Sequence, residues 1–201
     1  MRALIMAGGA GSRLGRGEKP LTQIYGRPMI SYVTKAFRSA GCEPVVVVSP
    51  NTPMTANWCR AQGIAVVRTQ GAGYVEDMMS AVLHLEEEQA IVISVSDIPC
   101  ITPRIISTIL RSYQECGKDA LSTWVPAWRV KSCHGGSMPY HEQIGGVEAC
   151  PAGVNILHGI HINAEQEEFP LLLDDQRLSL NVNTPEDLAR TEAFLMAGTA
   201  H

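Results

Sequence analysis

The regular alternation of short apolar runs with helical patterns is the feature of this chain that most limits its fold. Four runs rich in β-branched residues predict strands at residues 3–6, 45–49, 64–67 and 90–95. Apolar residues recur at helical spacing between them, as they do after Pro28 and after Tyr74. Strands that alternate with helices predict an α/β fold, Rossmann-like, with three α/β/α layers and a mainly parallel mixed sheet. Ligands of such folds bind at the carboxyl ends of the strands.

The second half of the chain is less regular than the first. Strands are predicted at residues 120–125, 152–158 and 178–182. Residues 128–148 are rich in Gly, His and Pro, which is typical of a loop that either binds an acceptor or is a passive surface excursion. A chain of 201 residues, 45% of them hydrophobic, fits one compact domain over residues 1–201.

Three Thr-Pro pairs predict where helices begin. Thr52, Thr102 and Thr184 each place a capping hydroxyl before a proline suited to the first helical position. Thr184 and Asp187 also match a capping box, in which each residue's side chain bonds to the other's backbone amide. Helices are therefore expected to start at residues 53, 103 and 185.

Charge and composition exclude several classes of partner. Sixteen Lys and Arg against twenty Asp and Glu give a formal net charge of -4, so no global basic field is available to hold a nucleic acid. The apolar run at the start of the chain is too short for a membrane span or a signal peptide. The six cysteines form no C-x-x-C pair. We therefore expect a cytoplasmic protein with no membrane span and no nucleic-acid partner.

The clearest functional pattern is the segment MAGGAGSRLGRGEK at residues 6–19, directly after the first strand. Its glycines allow backbone N–H groups to approach phosphate oxygens closely, and its basic side chains add positive charge. The residues concerned are Gly8, Gly9, Gly11, Arg13 and Lys19. The segment lacks the Gly-Lys-Ser/Thr ending of a Walker loop, and Leu14 stands where a dinucleotide fold has its third glycine. A dehydrogenase is therefore disfavoured.

Two further residues are candidates for a metal site. Asp97 follows an apolar strand, at the edge of the sheet where ligands bind, and a carboxylate there suits a hard cation such as Mg²⁺. Taken alone, an Asp at this position would more often cap the turn at Pro99 than bind a metal. Asn183 ends an extended run just before Thr184, where the pattern alone indicates the start of a helix.

The glycine segment, followed by Gly-Arg-Pro-Met-Ile at residues 26–30, resembles the signature of nucleotidyltransferases with a GT-A-like fold. These include molybdenum cofactor guanylyltransferase and the sugar-phosphate nucleotidyltransferases. The resemblance implies that Asp97 and Asn183 bind Mg²⁺ and that Arg13, Lys19 and Asp97 are catalytic. It also implies a set of nucleotide-binding residues: Leu4, Met6, Ala7, Gly8, Gly9, Gly11, Ser12, Arg13, Lys19, Asn51, Gly71, Gly73, Tyr74 and Asp77. Glu76 and Asp77 could accept from guanine N–H groups, or simply favour a helix N-terminus as acidic residues do.

Longer stretches resemble one family more closely, the archaeal-type GTP:adenosylcobinamide-phosphate guanylyltransferases. They include Ser-Pro-Asn-Thr-Pro at residues 49–53, Gly-Ala-Gly-Tyr-Val-Glu-Asp at 71–77 and Pro-Ala-Gly-Val-Asn-Ile at 151–156. The resemblance implies transfer of GMP from GTP to adenosylcobinamide phosphate, by direct in-line displacement of pyrophosphate. Residues 1–112 would then form the GTP-binding half, and residues 113–201 the half that binds the acceptor and completes the metal site. Gly153 and Asn155 are expected to bind the acceptor, although the pattern alone is equally typical of an ordinary strand entry.

Other functions share much of this pattern. A molybdopterin or sugar-phosphate nucleotidyltransferase would keep the same phosphate and metal residues. A noncatalytic GTP-binding module would keep the cleft and lose turnover. The presence of Lys19, Asp97 and Asn183 together argues against such a module.

Overall fold

The computed structural model describes residues 1–9, 11, 14–15, 17–130 and 140–198. These residues form an eight-stranded mixed sheet with α-helices against it, and a separate two-stranded ribbon. The strands are β1 (Arg2–Met6), β2 (Gln23–Ile24), β3 (Arg27–Pro28), β4 (Glu43–Val48), β5 (Ala65–Arg68), β6 (Ala90–Val95), β7 (Ala120–Pro126), β8 (Glu142–Ile144), β9 (Val147–His158) and β10 (Glu168–Leu172). The α-helices are α1 (Met29–Ser39), α2 (Pro53–Ala61), α3 (Tyr74–His84), α4 (Pro103–Cys116) and α5 (Pro185–Gly198). None of these helices is long and apolar enough to cross a membrane.

The main sheet has the strand order β10-β7-β9-β6-β1-β4-β5, and β8 pairs with β9. β1 lies parallel to β4 and β6, β4 parallel to β5, and β7 parallel to β10. β9 is antiparallel to β6, β7 and β8. The expectation of a mainly parallel mixed sheet is confirmed, with β9 as the one reversed strand of the seven along the main path.

Two hydrophobic clusters cover the two faces of the sheet. Successive side chains of a strand point to opposite faces, and β1 shows this clearly. Ala3 and Ile5 pack in the cluster that contains α1, α2 and α4. Leu4 and Met6 pack in the cluster that contains α3. The sheet is therefore the middle of three α/β/α layers, and the predicted fold class is confirmed.

Helices α2, α4 and α5 begin at the prolines that the Thr-Pro pairs predicted. Thr102 caps α4, since its hydroxyl accepts from the Ile105 N–H at 3.3 Å. Thr184 and Asp187 form the predicted capping box, with bonds of 3.2 and 3.0 Å. The prediction for Thr52 is wrong, because its hydroxyl accepts from the Ser49 N–H instead of capping α2.

The strand predicted at residues 178–182 is also wrong. Residues Gln176–Ser179 form a 3-10 turn, which the side chain of Asp175 caps by accepting from the Arg177 N–H at 2.9 Å. This cap provides a local alternative to strand pairing. The following residues pass close to the end of β6, and the Val182 N–H donates to the Asp97 carbonyl at 2.9 Å.

The irregular segment at residues 128–148 proves partly regular. β8 and β9 form a hairpin joined by Gly145 and Gly146, which both have positive φ, at 58° and 81°. A two-residue turn of this kind requires positive φ at both positions, and glycine adopts it without strain. Ile144 and Ala149 of the hairpin pack against Trp124. Residues 131–139 lie outside the described residues, so the segment predicted to bind the acceptor is described only at residues 128–130 and 140–148.

Candidate active site

A cleft of about 540 Å³ opens at the carboxyl ends of β1, β4 and β6. Its position agrees with the rule for ligand sites in parallel sheets. Most of its lining was predicted from the sequence: Met6, Ala7, Gly8, Gly9, Gly11, Lys19, Asn51, Gly71, Gly73, Tyr74, Asp77, Asp97 and Asn183. Sequence reasoning missed Pro20, Val95 and Ser96, which also line it. Pro20 and Ser96 are neighbours of the predicted residues Lys19 and Asp97, and Val95 ends a predicted strand. Their closeness to these positions along the chain could have indicated that they line the cleft.

Lys19, Asp97 and Asn183 meet on one side of this cleft. The Lys19 ammonium donates to Asp97 Oδ2 at 2.5 Å and to Asn183 Oδ1 at 2.7 Å. The side chains of Lys19 and Asp97 are each 16% exposed, so the ion pair is largely removed from water and its attraction is stronger than at the surface. Residues separated by up to 164 positions thus converge on one polar centre.

The backbone fixes how Asp97 and Asn183 face each other. Asp97 follows the end of β6, and the Val182 N–H bonds to its carbonyl. Asp187 is buried, and its Oδ2 accepts from the N–H groups of Asn183 and Thr184 at 3.1 and 3.0 Å. Asn183 is therefore held at the start of α5 by the same carboxylate that completes the capping box.

The donor set of this centre fits a divalent cation. Asp97 Oδ1 is buried and has no hydrogen-bond partner among the residues that the structure describes. A buried carboxylate oxygen without a partner is unfavourable unless another group completes it. Asn183 adds an amide oxygen beside it. Carboxylate and amide oxygens are ligands that hard cations prefer.

The glycine segment lies against the end of β4. The Ser49 hydroxyl donates to the Gly8 carbonyl at 2.6 Å and accepts from the Asn51 N–H at 3.1 Å. A Cβ atom added to Gly8 would lie 3.1 Å from the Ser49 Cβ, so a side chain there would have to push Ser49 back by a few tenths of an ångström. Gly11 has φ of 57°, and a Cβ there would lie only 2.5 Å from the Lys19 Cβ. Ser12 and Arg13, two predicted nucleotide-binding residues, lie outside the described residues.

The turn before α3 is held by Asp77. Its Oδ1 accepts from the N–H groups of Gly71 and Ala72, at 3.0 and 3.3 Å. Gly73 has φ of 152°, and a Cβ there would collide with the Glu76 carboxylate. One carboxylate oxygen of Asp77, a residue considered for guanine, is thus engaged with backbone N–H groups, and Asp77 shapes the cleft wall.

Tyr74 stands at the start of α3 and lines the cleft. Loss of hydration, and secondarily the negative charge of Asp97, raise the pKa of Tyr74 to about 12. Its phenol therefore stays protonated at neutral pH and can donate a hydrogen bond into the cleft.

Among the residues that the structure describes, three predicted binding residues do not line the cleft. The side chain of Leu4 is fully buried in the α3 cluster and lies in mid-strand, two residues before the end of β1 at which the cleft opens. Its assignment to the nucleotide contacts stays a prediction. Gly153 and Asn155 lie on β9 beside the cleft, and Asn155 Oδ1 accepts from the Thr123 N–H at 3.4 Å. A Cβ at Gly153 would lie 2.6 Å from Val95, a residue of the cleft lining.

Comparison with known proteins decides which family has this architecture. A family model described as the MobA-like NTP transferase domain matches residues 3–144. The chain is 31% identical to the adenosylcobinamide-phosphate guanylyltransferase of Methanocaldococcus jannaschii, over 97% of each chain. The chain belongs to the MobA-like NTP transferase family. This NTP transferase is accordingly a nucleotidyltransferase enzyme that acts on a nucleotide substrate, and enzymes of this kind generally use a divalent metal.

Further likenesses of the NTP transferase fall among related enzymes. It is 33% identical to the 3-deoxy-manno-octulosonate cytidylyltransferase of Mesorhizobium japonicum, over 50% of this chain and 43% of that protein. The solved structure of CMP:2-keto-3-deoxy-manno-octonic acid synthetase with CTP has a TM-score of 0.73 at 17% identity, over 98% of both chains. A hypothetical transferase from Thermus thermophilus has a TM-score of 0.69 at 18% identity, over 94% of this chain and all of that one. These two structures share the fold.

Proposed function

We propose that this NTP transferase is a GTP:adenosylcobinamide-phosphate guanylyltransferase. It would transfer GMP from GTP to adenosylcobinamide phosphate, giving adenosylcobinamide-GDP and pyrophosphate. The observation that carries this proposal is the identity of 31% over nearly the whole length of a protein named for that activity. The cluster of Lys19, Asp97 and Asn183 supports a catalytic site rather than a binding module.

Lys19 and Arg13 would hold the triphosphate. Lys19 lies in the cleft beside the glycine segment, where its ammonium can pair with phosphate oxygens as negative charge moves to the leaving pyrophosphate. Asp97 and Asn183 would hold Mg²⁺ through one carboxylate and one amide oxygen. When bound, Mg²⁺ would polarise phosphate oxygens and neutralise their charge.

The acceptor phosphate is already an anionic nucleophile, so the reaction needs alignment more than proton transfer. We propose a direct in-line displacement at the α-phosphorus, without a covalent enzyme intermediate. The glycines and Asn51 would bind the nucleoside, and Tyr74 would donate a hydrogen bond to ribose or phosphate.

The acceptor is proposed to bind beside β9. Gly153 borders Val95 of the cleft, and Asn155 lies next along the same face of the strand. Tyr140 is 63% exposed, and its ring centre lies 6.2 Å from that of Trp124. The Tyr140 ring offers an exposed flat surface to a broad corrinoid, and the buried Trp124 packs behind it. Residues 1–112 would then bind GTP, and residues 113–201 would bind the acceptor and complete the metal site, within a single domain.

Pyrophosphate release from ATP, CTP, GTP and UTP, each with and without adenosylcobinamide phosphate, tests the proposal. We expect magnesium-dependent release from GTP only when the acceptor is present, together with formation of adenosylcobinamide-GDP. Transfer to molybdopterin or a sugar phosphate, with adenosylcobinamide phosphate untouched, would contradict the acceptor assignment. A preference for CTP and a sugar acid would favour the activity named for the Mesorhizobium relative.

A further inference from the structure

The carboxylate of Glu18 reaches out of the glycine segment to the start of α2. Its Oε1 accepts from the Met54 N–H at 2.7 Å. Its Oε2 accepts from the Thr55 N–H and the Thr55 hydroxyl, both at 2.6 Å. The first N–H groups of a helix have no partner within the helix and carry partial positive charge. They therefore hold a carboxylate well, and Glu18 is fixed at three points.

Helix α2 accepts this carboxylate because its own cap is engaged elsewhere. Thr52 would ordinarily bond to the first N–H groups of the helix, but its hydroxyl accepts from the Ser49 N–H at 3.2 Å. Ser49 in turn bonds to the Gly8 carbonyl. The end of β4 and the start of α2 are thus connected to the glycine segment at two positions, Gly8 and Glu18.

Lys19 follows Glu18 directly, and the two side chains bind different parts of the molecule. Glu18 binds α2, whereas Lys19 crosses to Asp97 and Asn183. The backbone between them is fixed as well. The Leu21 N–H donates to the Glu18 carbonyl at 2.9 Å, and the Thr22 N–H donates to the Lys19 carbonyl at 3.1 Å. Because these bonds hold the backbone at residues 18–22, the Lys19 ammonium can adopt fewer positions.

We propose that Glu18 is a positioning residue, which sets Lys19 against the triphosphate by fixing the glycine segment to the N-terminus of α2. The proposal rests on the proposed contact between Lys19 and the triphosphate. Glu18 does not line the cleft proposed to bind the nucleotide, and its carboxylate is bonded to α2, so its effect would pass through Lys19. A role confined to capping α2 would change stability but leave phosphate binding unaltered.

A double-mutant cycle with Glu18→Ala and Lys19→Ala separates these roles. The probe is magnesium tripolyphosphate, whose binding by calorimetry depends on neither the base nor the acceptor, and GTP-dependent pyrophosphate release is followed in parallel. We expect Lys19→Ala to weaken binding by about tenfold and Glu18→Ala by about threefold to tenfold. In the Lys19→Ala background, Glu18→Ala should weaken binding no further, because coupled residues are non-additive. Glu18→Ala should lower the melting temperature by the same amount in the wild-type and in the Lys19→Ala backgrounds.

Two more variants make the experiment decisive. Glu18→Gln keeps the shape and one acceptor oxygen, and should lie between the wild type and Glu18→Ala even if the alanine variant folds poorly. Thr102→Ala removes the cap of α4 and should lower stability without changing tripolyphosphate affinity.

Equal effects of Glu18→Ala on tripolyphosphate affinity in both backgrounds, or no effect on that affinity, would overturn the proposal for Glu18. Wild-type affinity in Lys19→Ala would instead refute the proposed role of Lys19, and with it the basis of this inference. If the cycle behaves as expected but adenosylcobinamide phosphate is not guanylylated, only the proposed acceptor fails.

Discussion

At the scale of single residues, Lys19 bonds to Asp97 Oδ2 and to Asn183 Oδ1, the amide oxygen proposed to bind the metal, while Asp97 Oδ1 has no partner among the described residues. Its ammonium lies within 2.7 Å of both Asp97 and Asn183. An ion pair in a partly dehydrated site leaves a poorly compensated charge when one partner is removed. Lys19 supplies the positive charge of this centre. A divalent cation that binds both Asp97 and Asn183 must therefore compete with the Lys19 ammonium for them.

Lys19→Ala should have opposite effects on metal binding and on transfer. We expect tighter binding of Mn²⁺ in the absence of nucleotide, measured by electron paramagnetic resonance, because the competing ammonium is gone. Transfer should fall by at least about tenfold in kcat/KM, since a charge on a phosphate typically contributes more than about 1.4 kcal/mol. Lys35→Ala, at an exposed position of α1, serves as the matched control. Unchanged Mn²⁺ affinity would show that Lys19 does not compete.

Asp97→Asn should abolish metal-dependent transfer while the protein stays folded. The substitution preserves shape but removes the negative charge, and we expect a loss of roughly a hundredfold or more in kcat. Its melting curve by circular dichroism should still show one cooperative transition. Full activity at saturating GTP and magnesium would contradict the metal assignment.

The sequence predicted these reacting groups better than it predicted their supports. Lys19 stands in a glycine segment whose residue types already indicate phosphate binding. Asp97 and Asn183 were assigned to the metal through the family resemblance, since the pattern alone indicates a turn cap and a helix start. The supporting bonds of Glu18 and Asp77 depend on which backbone N–H groups lie nearby in space. That information arises only when distant segments come together, as the misassigned cap at Thr52 also shows.

At the scale of elements, α5 links stability to the site through its capping box. Thr184→Ala should lower the free energy of unfolding by about 1 kcal/mol, as loss of an N-cap usually does. Asp187→Ala should lower it further, because the buried carboxylate accepts from two N–H groups and binds Arg190. Urea unfolding measures both effects. We also expect Asp187→Ala to lower kcat through Asn183; stability loss with unchanged kinetics would separate α5 from catalysis.

The β8–β9 hairpin is expected to contribute to acceptor binding. Tyr140 lies beside Trp124, whose indole N–H donates to the Ser122 hydroxyl at 2.7 Å. Tyr140→Ala should raise the KM for adenosylcobinamide phosphate by about threefold to tenfold, because a stacking surface is lost. GTP affinity should not change. Leu83→Ala, at another exposed apolar position, is the control. Equal losses for both substrates would contradict this division of roles.

Periodicity predicted the elements well where strands and helices alternate. Strand β6 was predicted to the residue, and β1, β4 and β5 to within two residues at either end, whereas the short strands β2 and β3 were not predicted. Residues 178–182 misled the prediction because their apolar residues have other partners. Leu178 packs in the cluster that contains α1, α2 and α4. The Val182 N–H makes one backbone hydrogen bond to the Asp97 carbonyl, which is not part of a row of strand-pairing hydrogen bonds.

At the scale of the whole molecule, buried thiols make stability depend on alkaline pH. Burial raises the pKa of Cys59 from its ordinary value of 9.0 to about 12. Between these values the unfolded chain loses the thiol proton while the folded chain keeps it, so folding stability should fall as pH rises from 9 to 12. Urea unfolding across this range should show a smaller decrease for Cys59→Ala than for the wild type. An identical pH dependence in the two proteins would exclude Cys59 as a cause.

Along its main path, the sheet of the described residues ends on two strands that are poor templates for further growth. β5 is only four residues long, and β10 carries Pro170 at its centre. Proline has no N–H to donate, so an extended segment of another molecule laid along β10 would meet an interrupted row of donors. Fibrillar association by strand addition to the folded protein is therefore disfavoured at both margins, and copies of this protein that associate would do so more readily through helices or loops.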